Sequence, residues 1–134
     1  MSNLPTFDHV HFYCTDIAAS EGWFVNVLGA ELIERRGSEE YPTVVVSLGG
    51  GKILLRKQLE GENLDASGAP RFGLDHFGLL ADNVRDTVEE FRTRGAVVSS
   101  EPRELRPGVF VAFVSGPDDI RVEILQRPKL TDGQ

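Results

Sequence analysis

The chain has 134 residues, 40% apolar and 26% charged, the size and balance of one globular domain. Its net charge of −7, with no clustered Lys/Arg stripe, argues against nucleic acid and anionic membrane as partners and leaves small molecules. Cys14 is the single cysteine, so no internal disulfide can form. With no leader-like N-terminus and no run of about 20 apolar residues, the expectation is a soluble, cytoplasmic protein.

In chain order, His9 to Cys14 reads as a strand, rich in β-branched and aromatic residues. Ile17 to Leu28 reads as a helix with Asp16 as its N-cap and Gly29 as its stop. Trp23 and Phe24 on that helix are expected in the core or at a dimer contact. Strands follow at Glu31 to Arg35, Thr43 to Leu48 and Lys52 to Lys57, the last two joined at Gly49-Gly50-Gly51. Glu60 to Arg71 is polar and holds Gly61, Gly68 and Pro70, the composition of a linker.

The pattern then returns. His76 to Ala81 reads as a strand, and Val84 to Arg94 as a helix whose Val84, Val88 and Phe91 fall at i, i+4 and i+7. Strands are predicted at Val97 to Ser100, Val109 to Ser115 and Ile120 to Gln126. Arg103, Glu104 and Arg106 would lie in a loop able to close over a pocket, and the tail after Pro128 would fray.

The two stretches are copies of one plan. Asp8 to Leu32 and Asp75 to Val98 each open with Asp-His, continue with alternating apolar residues, reach an Asp at a cap position (Asp16, Asp82) and end a helix at Gly-Ala. The expected fold is therefore α+β: two βαβββ repeats forming a cupped, mainly antiparallel eight-stranded sheet, with the helices on its outer face. One domain over 1–134 would hold repeat 1 at about 7–58, a linker at about 59–74 and repeat 2 at about 75–126.

Strand period two assigns faces. Val10, Phe12 and Cys14 oppose His9, His11 and Tyr13. Phe77 and Leu79 oppose His76, and Val122 and Ile124 oppose Glu123. The apolar faces must meet the helices, so both histidines and Glu123 share the other face. A lone histidine is usually structural and a lone strand glutamate usually solvated. Three strands agreeing on one side, in a repeated frame, point instead to a 2-His-1-carboxylate metal set with open positions for substrate. His11 shares that face but sits about 6.5–7 Å along the strand from His9, too far for an easy fourth ligand. It is read as an acid/base near the ion, and Tyr13 as a hydrogen-bond partner for a substrate oxygen. Arg56 is the better candidate than Lys52 for an anionic substrate group, because its planar fork matches a carboxylate.

These residues bear a likeness. Asp-His…Asp…Leu-Gly-Ala, repeated as Asp-His…Asp…Arg-Gly-Ala and ending in Phe-Val-Ser-Gly-Pro-Asp-Asp-Ile-Arg-Val-Glu-Ile-Leu, resembles the vicinal oxygen chelate superfamily from about Phe7 to Gln126. That group includes glyoxalase I, methylmalonyl-CoA epimerase, extradiol dioxygenases, fosfomycin-resistance enzymes and metal-free bleomycin-binding proteins. The resemblance implies metal ligands at His9, His76 and Glu123, one divalent ion (Fe(II), Mn(II), Ni(II) or Zn(II)), a small oxygenated substrate and a homodimer. It implies a lyase or isomerase, or an Fe(II) extradiol-type dioxygenase. The alternative is a non-catalytic binding or resistance protein of the same fold. Where glyoxalase I and the epimerases place a fourth ligand, this chain has Leu54, which counts against those two activities and leaves Glu123 as the only ligating carboxylate for proton chemistry. Asp119 stands where the family usually has glycine.

Overall fold

The computed structural model describes residue 3, residues 5–65 and residues 72–128, grouped in two compact units, 1–66 and 67–134. The tail beyond Pro128 and the end of the expected linker lie outside the described residues.

In the first unit β1 (His9–Cys14) is followed by helix α1 (Ile17–Gly22), then β2 (Glu31–Gly37), β3 (Pro42–Leu48) and β4 (Gly51–Lys57). The strands order as β1-β4-β3-β2, with β1 parallel to β4 and the other pairs antiparallel. Asp16 caps α1, its Oδ1 accepting from the Ala19 amide at 3.0 Å. The expected single helix to Leu28 is in fact two segments. After Gly22 the chain widens into a π-helical turn over Trp23–Val27, closed by the Leu28 amide donating to the Trp23 carbonyl at 3.2 Å. Gly29 then takes φ 81°, the left-handed stop a side chain would resist. Phe24 is completely buried and meets Phe12 at 6.1 Å between ring centroids, so the helix covers the apolar face of the sheet. Leu55 and Val46 are buried just as fully.

The second unit repeats the plan: β5 (Phe77–Leu80), α2 (Val84–Thr93), β6 (Val97–Arg106), β7 (Val109–Ser115) and β8 (Arg121–Gln126), ordered β5-β8-β7-β6. Here β5 is parallel to β8. Val84, Val88 and Phe91 form the buried stripe of α2, against a sheet whose Val122 and Ile124 have no exposure. The eight strands thus form two mixed four-stranded sheets within an α+β architecture.

Several local expectations are corrected. The cap of α2 is Asn83, accepting from the Asp86 amide at 3.1 Å, and not Asp82. Asn83 stands as far beyond His76 as Asp16 does beyond His9, so the one-residue difference between the repeats arises only when they are aligned by their aspartates. β5 starts at Phe77, leaving His76 just ahead of the ladder, and β8 starts at Arg121. β6 is far longer than the expected Val97 to Ser100. Arg103, Glu104 and Arg106 belong to it, paired with Val111, Phe110 and Val109, so they form no loop. Three register shifts along this pair interrupt the alternation that would have revealed a strand in sequence. A 3₁₀ turn at Pro117–Asp119, with Pro117 at its first position, leads into β8.

Candidate functional site

The face away from α2 carries the sharpest constellation. His76 extends its Nε2 to 3.9 Å from Glu123 Oε1, with both side chains partly exposed. The other ring nitrogen, Nδ1, lies 2.8 Å from Asp75 Oδ2. The imidazole meets the Phe113 ring edge-on at 5.1 Å. Arg121 donates to the same Asp75 carboxylate and lays its guanidinium over Phe113 at 4.7 Å. The hydrogen bond with His76, aided by the Arg121 charge, holds Asp75 below the usual carboxylate range.

Backbone register explains why Glu123 can reach the histidine. Phe113, Glu123 and Gly78 sit in one row across β7, β8 and β5. A Cβ on Gly78 would stand 3.4 Å from Glu123 Oε1, so the bare glycine leaves the carboxylate its space.

The first unit repeats part of this arrangement. His9 Nδ1 lies 2.7 Å from Asp8 Oδ2, and Lys52, its register partner on β4, places Nζ 4.0 Å from Asp8 Oδ1. That hydrogen bond first, then Lys52, lowers the Asp8 carboxyl. His11 and Tyr13 continue the same face, their rings stacked at 6.3 Å. Lost hydration first, then the charges of Arg56, His9 and Arg36, lowers the His11 imidazole below its ordinary value, favouring the neutral ring. Leu54 lies beside His11 and is 8% exposed.

Arg56 has company that sequence reasoning missed. It donates to Tyr13 Oη at 2.7 Å, covers that ring at 4.3 Å, and reaches both oxygens of Glu62 at 3.1 and 3.3 Å. Glu62 also accepts from the Leu59 amide, so one carboxylate closes the turn after β4 and occupies the fork. Glu62 lies beyond the strand, where a face count has no reach. Asp8 and Asp75 were visible as repeat markers, but nothing in the spacing pointed their carboxylates at the neighbouring rings.

Within either unit, among the described residues, no three His, Cys, Asp or Glu side chains are grouped to hold a metal ion. His76 and Glu123 supply two donors suited to a borderline divalent ion, and His9 presents a second imidazole of the same local design. No described helix is long and apolar enough to cross a membrane.

The chain is 29% identical to a probable chloroplastic lactoylglutathione lyase of Arabidopsis thaliana, over 89% of its own length and 35% of that protein's. It is 27% identical to the lactoylglutathione lyase of Salmonella typhimurium, over 88% of this chain and 90% of that one. The crystal structure of glyoxalase I from Zea mays superposes with a TM-score of 0.76 at 21% identity, covering 92% of this chain and 45% of the maize one. Relative to the two plant proteins, then, the chain spans about a third to a half of the length. The profile described as Glyoxalase/Bleomycin resistance protein/Dioxygenase superfamily matches residues 6–124. The chain belongs to that superfamily.

Proposed function

We propose that this chain is a divalent-metal-dependent enzyme acting on a small oxygenated substrate, with His9, His76 and Glu123 as the ligands of one ion. The observation that carries this reading is the His76 and Glu123 pair, 3.9 Å apart on the helix-free face, with the remaining ring nitrogen already taken by an aspartate. Fe(II), Mn(II), Ni(II) and Zn(II) all suit two imidazoles and a carboxylate. When bound, such an ion supplies Lewis-acid polarisation of the substrate's oxygens.

The chain's own groups do the rest. His11, whose imidazole is biased to the neutral form, takes a proton on a ring nitrogen. Tyr13 orients a substrate oxygen through its hydroxyl, which Arg56 steadies. Arg56 meets an anionic substrate group only by exchanging its Glu62 partner for it. Glu123 would serve both as ligand and as the carboxylate that moves a proton to or from the substrate. We assign the protein to the cytoplasm and to a homodimer, and treat 1–134 as one functional domain.

Two reaction classes remain in play, each with its own support. The near-complete coverage of a bacterial lactoylglutathione lyase favours a lyase or isomerase. Leu54, a non-ligand beside His11, leaves a three-ligand set and favours an Fe(II) dioxygenase. The test is a metal titration followed by parallel assays. Wild type should bind one equivalent of metal, and His76→Ala should lose that binding while keeping its circular dichroism. Oxygen uptake on a catechol panel with Fe(II) supports the dioxygenase; hemithioacetal isomerisation with Ni(II) or Zn(II) supports the lyase. A wild-type protein that binds no divalent metal, yet binds small molecules, would be a sequestering protein and would end the enzyme reading.

A further inference from the structure

The Asp-His dipeptide occurs at the same point of both repeats, and in both the aspartate turns back onto the ring that follows it. The contacts are Asp8 Oδ2 to His9 Nδ1 at 2.7 Å and Asp75 Oδ2 to His76 Nδ1 at 2.8 Å. In each case a cation from the adjacent parallel strand stands behind the acid. It is Lys52 on β4 in the first unit and Arg121 on β8 in the second. Two surface aspartates would have no reason to share this arrangement if they served only to solvate their strand ends. Both are largely exposed, so neither is needed to fill a core.

An ionised carboxylate is acceptor-only. A neutral imidazole bonded to it through Nδ1 must therefore carry its proton there, which strips Nε2 of hydrogen and leaves its lone pair outward. We propose that Asp8 and Asp75 are positioning residues: each fixes its histidine as the Nδ1–H tautomer and sets the ring so that Nε2 faces the ligand side. For His76 that free nitrogen is the one facing Glu123. Lys52 and Arg121 hold the aspartates in turn, Arg121 the more firmly because it also anchors on Phe113. The inference rests on the metal reading for its purpose, but the tautomer is a property of the metal-free protein.

That separation sets the experiment. The chain has three histidines, so ¹⁵N ring signals of the whole protein resolve into three pairs. At pH 8.5 without metal, His9 and His76 should show Nδ1 as the protonated nitrogen. Asp8→Ala should move His9 alone, and Asp75→Ala His76 alone, towards the Nε2–H form, with His11 as the internal control. Asp75→Asn keeps the shape but can turn its amide N–H donor to Nδ1, so it too should move His76 towards the Nε2–H form, which separates loss of the acceptor from loss of bulk. Competition for Zn(II) against a chromophoric chelator should then show about 10–100-fold weaker binding in each alanine variant. Wild-type rings protonated on Nε2, or alanine variants whose ring signals do not move, overturn the assignment even if Zn(II) binds. Rings that respond as expected in a protein that never binds Zn(II) uphold the aspartates' positioning role and remove the metal reading alone.

Discussion

The two halves share a topology and differ in what fills the middle of the open face. In the first, the row across β3, β4 and β1 reads Val45, Leu54, His11. In the second, the row across β7, β8 and β5 reads Phe113, Glu123, Gly78. Leu54 and Glu123 are thus equivalent points of one repeated frame, and so are His11 and Gly78. Where the first strand carries an imidazole, its neighbour is an aliphatic side chain with little exposure. Where the first strand carries no side chain at all, its neighbour is an acid with room to bend towards His76. In the proposed site, ligand competence at this position depends on a pair of residues, and a carboxylate alone would not supply it.

Substitutions can break that comparison or sharpen it. The helix contacts come first, because the halves are pinned differently: a fully buried aromatic ring, Phe24, in the first, and two fully buried valines beside Phe91 in the second. Phe24→Ala should cost about 3–5 kcal/mol and Val88→Ala about 1.5–3 kcal/mol in urea unfolding. Equal losses would mean that the two helices carry equivalent anchors after all. Next comes Leu54→Glu, which gives the first half the acid its counterpart holds. Losing a buried leucine to a carboxylate facing His11 should lower stability by about 2–4 kcal/mol without metal. Saturating Ni(II) should raise the melting temperature of this variant no more than that of wild type, because His11 stands where Gly78 leaves space in the second half; a larger metal-induced rise would break the proposed dependence on the pair.

The caps rank third. Asp16→Ala and Asn83→Ala should each cost about 1 kcal/mol, with Asp82→Ala near zero by the same measurement. The smallest effect is expected at Glu62. Arg56 first, and the Leu59 amide second, lower its carboxyl, so the folded chain favours the ionised form. Its contribution is therefore present above the ordinary glutamate range and is lost as pH falls through the lowered folded value. The melting-temperature gap between wild type and Glu62→Gln at low salt should narrow as pH falls from 7 to 3. A gap that does not narrow would show that the Arg56 pairing is not its source.

Much of this frame can be read from residues alone, for a physical reason. Strand alternation and helical spacing report burial, and burial decided which face Val10, Phe12, Val122 and Ile124 take. The same periodicity located His9, His76 and Glu123 opposite them. It failed where backbone irregularity breaks the period. The π turn at Trp23–Val27 preserves the helical look of its sequence, and the bulges of β6 made a ten-residue strand resemble a short strand and a loop. Contacts between side chains close in sequence but set by χ angles were equally hidden, as with Asp8 on His9 and Glu62 on Arg56. Periodicity counts residues; it does not aim them.

The turn before β8 has a consequence that reaches Glu123. Asp118 and Asp119 both adopt positive φ, 57° and 56°, and the Gly116 amide closes the turn onto the Ile120 carbonyl at 2.8 Å. Left-handed geometry at two successive non-glycine residues is costly, and aspartate is among the side chains that tolerate it best. The count of residues between that clasp and Glu123 sets the parity of the strand. Deleting Arg121 would exchange odd for even along the rest of β8, sending the carboxylate under α2 and two aliphatic side chains to the open side.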